Sequence, residues 1–393
     1  MQFLIKPVAS LLLVTGTLFG VDRINHAENS SENIVTEPNP SKRIAPKIQV
    51  AILLDVSNSM DGLIEQAKAQ LWNMVSVMGK ATCNDMAPNI EIALYEYGRP
   101  TNNSVAGYVK RINPFTHDLD ELSQNLFKLT TNGGDEFCGH VMYTSLSELG
   151  WDTASTSYKV IFIAGNEEFR QGNISFTKAC AEAKKRGVII NTIYCGDKMQ
   201  GIREHWNLGA ECGQGSYTNI NQDIAIEEIP TPYDSTLFLL NDRLNGTYIA
   251  YGVAGFANYE KQAATDKANY QLSKSAAAKR VSVKGKQGLY KNSTWDLVDA
   301  AKDDSTLIAK VDLKTLPANL QTKSRSELKV IVRSKTQERT NIQKEIATVT
   351  SKREAYIVTE KAKKTNGRNQ PTLETEVEKI IKVQAKRYNM IIQ

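Results

Sequence analysis

A doubly wound, Rossmann-like α/β domain with a parallel central sheet, followed by a mainly α-helical C-terminal region, is the fold class this sequence predicts. Three observations predict it. Apolar runs rich in Val, Ile and Leu at 48–54, 158–164 and 188–194 read as strands buried on both faces. Helical patterns separate the strands, and that alternation is the signature of a parallel sheet with covering helices. Beyond Pro230 and Pro232 the composition turns to Ala, Lys, Asn and Tyr at helical spacing.

The N-terminus comes first in order. Lys6 precedes an apolar stretch from Val8 to Val21, which reads as a signal peptide over residues 1–22. The stretch is shorter than the roughly 20 residues a spanning helix needs, and an uncleaved N-terminal anchor is the rival reading. No cysteine follows the apolar core, which argues against a lipoprotein. Residues 23–45, dominated by Asn, Ser, Glu and Pro, read as a disordered leader.

The α/β domain is expected over residues 46–229. Ile48–Leu54 is its first strand, and Met60 opens a helix carrying Leu63, Ala67, Leu71, Met74, Val75 and Met78 at helical spacing. Strands follow at 90–97, at 107–112 on an edge, at 158–164, at 188–194 and at 215–218. Helices are expected at 119–129, 141–149 and 176–186. A helical and irregular region is expected over 230–318, with helices broken near Gly246 and Gly252 and a packed turn at 291–297.

A helical C-terminal region is expected over 319–393. There Leu328, Val332, Ile342, Ile346, Val349 and Tyr356 share a seven-residue frame that Lys335, Arg339 and Arg353 interrupt. The interruptions predict a helical hairpin rather than one continuous coiled coil. A loop at Asn366, Gly367, Asn369 and Pro371 precedes a last helix from about Leu373 to Met390, whose stripe Val377, Ile380, Ile381 and Gln384 reads as core.

Composition excludes some functions. With 48 basic against 43 acidic residues the chain is too balanced to argue for nucleic acid. A mean hydropathy of −0.37 rules out a polytopic membrane protein. Five cysteines in an exported chain permit disulfides and leave at least one thiol over. None has the close paired spacing of a zinc site. No nucleophile elbow, phosphate loop or His-Glu-x-x-His helix appears, and His140 and His205 have no partner visible in the sequence. The chain is not expected to be an enzyme.

The chemistry concentrates at the end of the first strand. Asp55, Ser57 and Ser59 form an Asp-x-Ser-x-Ser triplet of oxygen ligands suited to a hard divalent cation. They stand where ligands bind in open α/β sheets, outside the carboxyl ends of strands. Ser59 as a helix N-cap is the plain alternative. The triplet, the order of strands, the segment Thr130–Gly139 with its Gly133-Gly134 pair, and the strand end Ala164-Gly165-Asn166-Glu167 resemble von Willebrand factor A (VWA) domains. With Tyr95-Glu96-Tyr97-Gly98 they are similar to a subgroup of exported bacterial VWA proteins of undefined function. The resemblance covers about half the chain.

That resemblance implies a metal-ion-dependent adhesion site (MIDAS), with two departures here. Asp135 stands where the second loop usually gives threonine, and Gly165 where the third usually gives aspartate. The departures compensate if Asp55 and Asp135 are the charged ligands, Ser57 and Ser59 the neutral ones, and Asn166 or Glu167 acts through water. The alternative is a degenerate site whose polar groups hold the loops together. The implied cofactor is Mg²⁺, with Mn²⁺ or Ca²⁺ as substitutes. The implied partner is a protein that completes the cation's shell with an acidic residue. Because Cys138 follows the second loop and Cys195 ends a core strand at the same edge, a Cys138–Cys195 bridge is one expectation and free buried thiols the other. The expected function is metal-dependent or metal-supported protein–protein binding in the cell envelope, periplasmic or extracellular, with membrane contact only through an uncleaved N-terminal segment. Its alternative is a metal-free scaffold whose C-terminal helices carry the interactions.

Overall fold

The computed structural model describes residues 45–83, 86–221, 228–363 and 372–392. The expected signal peptide, nearly all of the leader and the loop residues 366–371 lie outside the described residues.

Six strands form the central sheet: β1 (Lys47–Asp55), β3 (Asn89–Tyr97), β4 (Lys110–Thr116), β5 (Tyr158–Gly165), β6 (Ile189–Cys195) and β7 (Gln214–Ile220), while β2 (Ala81–Thr82) lies apart. Their order is β4-β3-β1-β5-β6-β7. All neighbours run parallel except β4, which pairs antiparallel with β3 at the edge. β1 sits near the middle with both faces covered. Ile48, Val50 and Leu54 enter one apolar core, and Ala51 and Leu53 the other. This alternation follows from the two-residue period of a strand.

On the second face lie α3 (Cys138–Glu148), α4 (Phe176–Arg186) and α6 (Trp206–Cys212), which bury Val141, Met142, Ala179 and Trp206 against Tyr95 and Tyr97. On the first face lie α1 (Asp61–Met78), α2 (Leu119–Lys128) and, from the far end of the chain, α14 (Leu373–Ala385). The stripe Val377, Ile380, Ile381 and Gln384 is core, as expected. Gln384 ties it down by accepting from the Tyr158 hydroxyl at 2.9 Å and donating to Asn191 at 2.7 Å. After α14 the short β8 (Ile391–Ile392) pairs antiparallel with β2.

Between β7 and α14 the chain builds a helical layer. α7 (Asp234–Asn245), α8 (Gly255–Leu272) and α9 (Lys274–Lys284) rest on α1 and α2, with Leu237, Leu240 and Val281 joining the first core. Shorter helices α10 (Leu297–Asp303), α11 (Leu307–Lys310) and α12 (Ala318–Gln321) surround a separate cluster of Leu297, Val298, Leu316, Leu328 and Val332.

One expectation is corrected here. Residues Arg325–Lys363 form a single continuous helix, α13, of 39 residues, and not a hairpin. Two of the charges that break the apolar frame, Arg339 and Arg353, are themselves buried and matched, while Lys335 is half-buried and pairs with Glu338 one turn on. Arg339 donates to Asp296 at 2.6 Å and Asp299 at 2.7 Å, and Arg353 donates to Asp234 at 2.7 Å. An arginine held this way occupies a core position without ending the helix.

The cysteine expectation is corrected too. The disulfide joins Cys180 to Cys212, tying α4 to α6 with Cα atoms 5.8 Å apart. Cys138 and Cys195 are free and buried. They reach the same sheet edge but opposite faces, Cys138 in the second core and Cys195 in the first, so the sheet itself separates them. Among the described residues no helix is long and apolar enough to cross a membrane.

Candidate functional site

The site grows out of the carboxyl ends of β1, β3 and β5. Asp55 is the last residue of β1 and is fully buried. Its Oδ1 accepts the Ser57 backbone N–H at 2.7 Å, while its Oδ2 is buried with no partner at normal hydrogen-bond geometry; the Asn166 backbone N–H is near enough only to lower the carboxyl's pKa as its smallest influence. The chain then enters a single 3-10 turn at Asn58–Met60 before α1, closed by the Met60 N–H on the Ser57 carbonyl at 3.1 Å. Neither serine caps the turn or α1 through its side chain, so the plain capping role is not what they do here. Ser57 is buried, and its hydroxyl lies 3.5 Å from that of the exposed Ser59. The Asn166 amide donates to Ser59 at 3.1 Å, joining the first loop to the third.

The second loop is pinned onto the first. Asn132 donates its backbone N–H to the Val56 carbonyl at 2.8 Å, and the Thr131 hydroxyl donates to Asp61. This positions the two acids of the loop differently. Asp135 is exposed, whereas Glu136 turns inward and is 6% exposed. Gly98 stands between the two sites of negative charge. It holds φ +84°, and a Cβ there would lie 3.0 Å from both Asp55 Oδ1 and Glu136 Cγ. A side chain is thus excluded by backbone conformation and by space together. Gly165 is held to glycine by space alone, for its Cβ would fall 2.6 Å from the Tyr97 hydroxyl and 2.9 Å from Asp55 Oδ2. The slot in which an aspartate was the family expectation has no room for one.

Electrostatics follow from this crowding. Burial pushes the Asp55 carboxyl up to about 7, against the pull of the Ser57 N–H and with a push from Glu167. Burial pushes Glu136 up to about 8, with Asp55 and then Glu167 adding to it. The two acids thus lie close enough for Asp55 to raise Glu136, and among the described residues neither is paired with a cation. Beneath them the Tyr97 hydroxyl donates to the Ala164 carbonyl at 3.0 Å, and burial lifts the Cys138 and Cys195 thiols well above their usual range.

Sequence reasoning missed two features. Glu136 was overlooked because it neighbours Asp135, and only the loop's phase decides which acid turns inward. His205, placed in a left-handed conformation with φ 66°, has Glu168 as its partner, Nδ1 lying 2.9 Å from Oε1. That pairing spans 37 residues and carries no local signal. His140 is enclosed at Gly107 and Gly172, and burial lowers its pKa.

The residues present fit a divalent cation on this structure's own terms: an orphaned buried carboxylate oxygen, a second buried acid against it, and serine hydroxyls alongside. Among the described residues no group of three or more His, Cys, Asp or Glu side chains gathers in metal-binding geometry. A cation here would rest on two carboxylates, neutral oxygens and water, as Mg²⁺ sites commonly do.

A parallel sheet with one antiparallel edge strand, central β1 ending in Asp-x-Ser-x-Ser, and helices on both faces give the doubly wound α/β fold that the resemblance to VWA domains implies, joined to a mainly helical C-terminal region. No family model matches the chain, and no curated protein does. Among solved structures it is similar to proximal thread matrix protein 1 from the mussel byssus, determined with a zinc-occupied MIDAS motif, at 15% identity over 44% of this chain and 42% of that one, TM-score 0.34. It is also similar to an aerotolerance-related membrane protein from Bacteroides fragilis, at 15% identity over 45% of this chain and 93% of that one, TM-score 0.31. The SpRpn10 VWA domain is matched at 14% identity over 44% of this chain and 88% of that one, TM-score 0.33. The chain thus spans less than half the length of the mussel protein.

Proposed function

We propose that this protein is an exported binding protein, and not an enzyme, whose VWA-type domain engages a protein partner through a metal-supported loop face in the cell envelope. The cation, Mg²⁺ or Mn²⁺, is held by Asp55 and Glu136 as charged ligands with Ser57 and Ser59 as neutral ones, and Asn166 or Glu167 acts through water. Asp135 lies outside the carboxylate pair, on the rim where a partner arrives.

One observation supports this reading above the others: the fully buried Asp55 carboxylate keeps one oxygen without a partner and faces a second buried acid. A bound cation would keep both carboxylates ionised and offer an open position to an oxygen of the partner. The chain's own groups do the rest. Ser57 N–H orients Asp55, Gly98 and Gly165 let the loops close on it, and Asn166 holds Ser59 in register.

Calorimetric titration of Mg²⁺ and Mn²⁺ into the full chain tests it, with Glu136→Gln and Asp135→Asn alongside. Binding that is lost in Glu136→Gln and kept in Asp135→Asn is the expected result. Loss in Asp135→Asn alone would return the ligand role to Asp135. No binding by the folded wild type would leave the metal-free scaffold.

A further inference from the structure

Three lysines gather around one carboxylate at the far end of α1, whose 18 residues place them about 27 Å from the loop face. Glu354 of α13 takes Lys80, which follows the α1 cap, at 3.0 Å and Lys279 of α9 at 3.5 Å. Lys286 comes two turns after Lys279, just past the end of α9. Packing brings it to the others. A Cβ on Gly79 would collide with Leu289, and one on Gly285 would lie 2.6 Å from Ile346 Cγ2. The turn that carries Lys286 is thus wedged between the end of α1 and the side of α13. Lys286 is half-buried and has no hydrogen-bond or ion-pair partner among the described residues. Burial lowers its pKa, Lys80 lowers it further, and Glu354 opposes them while Lys279 adds a last push.

The charges here do not close. Three ammonium groups stand against one carboxylate, which leaves two positive charges over. The helices α1 and α9 both end at the cluster, and the carbonyl end of a helix supplies roughly half a negative charge. Together they answer about one of the two, so roughly one positive charge remains in a partly buried place that salt screens weakly. A metal ion is repelled by this surplus, and a neutral ligand does not answer it. A carboxylate offers two oxygens to three lysines. A phosphate group gives each lysine an oxygen of its own, and as a monoester it carries about −1.5 to −2 at pH 7. Lysine suits that role as a compact point charge with three rotatable donors.

We propose that Lys80, Lys279 and Lys286 form a binding site for a phosphate group, with Glu354 holding the first two lysines in place and Lys286 as the donor left for the ligand. The site does not depend on the loop-face reading.

Calorimetric titration of inorganic phosphate and of glycerol phosphate into the full chain tests it, with EDTA present so that no cation at the loop face takes part. Vesicles of phosphatidic acid in phosphatidylcholine, beside phosphatidylcholine alone, test a lipid source of the same group. At least one phosphate probe is expected to bind, about tenfold or more weakly in Lys286→Gln. Binding of the soluble probes supports a small phosphorylated ligand, and binding of the acidic vesicles alone supports a lipid headgroup. Lys267→Gln, which removes an exposed cation from α8, is expected to keep the affinity within about twofold. The bound probe is expected to raise the Tm of the wild type and not that of Lys286→Gln. Without phosphate, Lys286→Gln is expected to match or exceed the wild-type Tm, because an unanswered cation has been removed. No binding of any probe overturns the proposal, as do equal losses in the two variants. A Lys286→Gln Tm lowered without phosphate overturns it too, for the lysine would then serve only the helix ends.

Discussion

Two groups of buried charge in this molecule are built on opposite terms. In the helical layer each buried acid meets a cation. Arg280, 1% exposed, bridges Asp120 and Asp266 at 2.5 Å to each, and Lys284 closes on Asp266 at 2.8 Å. Burial alone would raise Asp266, yet Lys284 and Arg280 hold it well below the ordinary carboxylate range. At the loop face Asp55 and Glu136 are buried too, among the described residues neither is paired with a cation, and both are pushed up. Burial is common to the two regions and compensation is not. The first arrangement holds helices together. The second leaves two carboxyls raised and unpaired among the described residues, which is the arrangement the proposed cation site would use.

The comparison breaks most visibly if compensation is removed where it exists. Arg280→Met keeps much of the aliphatic stem, but it removes the guanidinium that lies 4.5 Å over Trp72 and leaves Asp120 and Asp266 short of their partner. Breaking a buried pair in this way costs about 3–5 kcal/mol. Urea unfolding should show that loss in the midpoint. A change below about 1 kcal/mol would mean the network is idle and the contrast with the loop face is empty.

Opposite behaviour is expected at the loop face. Glu136→Gln removes one of two like charges, so at pH 8 the metal-free protein should hold its stability or gain on the order of 1 kcal/mol. Added Mg²⁺ should raise the wild-type Tm and leave the variant's unchanged. A variant destabilised without metal would show that Glu136 is a structural acid like Asp120.

How far the sequence revealed this division depends on the reach of each interaction. The strands, the helices between them and the stripe at Val377, Ile380 and Ile381 were legible because period and apolarity are local. Asp55, Ser57 and Ser59 were legible because they lie within one turn. Arg339 and Arg353 read as faults in an apolar frame because their partners Asp296 and Asp234 lie 43 and 119 residues away. Arg280 gave no signal, with Asp120 at a separation of 160. Glu136 failed for a different reason. The segment was found, but which of two adjacent acids turns inward depends on backbone anchored at Val56, and composition carries no trace of that.

The titration of the loop-face acids gives a smaller and graded effect. An acid whose folded pKa lies above its unfolded value binds more protons folded than unfolded, so its contribution is full below the unfolded pKa and is lost as pH rises through the folded one. With Asp55 at about 7 and Glu136 at about 8, the metal-free protein should lose stability progressively from about pH 4 to about pH 8 and then level. Mg²⁺ should flatten that decline, because the cation favours the ionised forms the folded protein otherwise resists. Tm measured from pH 5 to 9, with EDTA or with Mg²⁺, checks both. A metal-free curve without slope in Glu136→Gln and in wild type alike would remove the charge argument for this site.

The smallest effect tests what lies beneath the site. Tyr97 is buried under Asp55 and donates to the Ala164 carbonyl at 3.0 Å, with the Cys138 thiol 3.9 Å from its oxygen. Tyr97→Phe keeps the ring and deletes one hydrogen bond, so the loss should be about 0.5–1.5 kcal/mol. Because the Ala164 carbonyl precedes Gly165, against which Asp55 Oδ2 lies, the variant relaxes the floor of the site without touching a ligand. Mg²⁺ affinity should therefore fall by less than about tenfold, while Glu136→Gln abolishes it. Equal losses in the two variants would mean that the geometry of the floor, and not the facing pair of acids, governs cation binding.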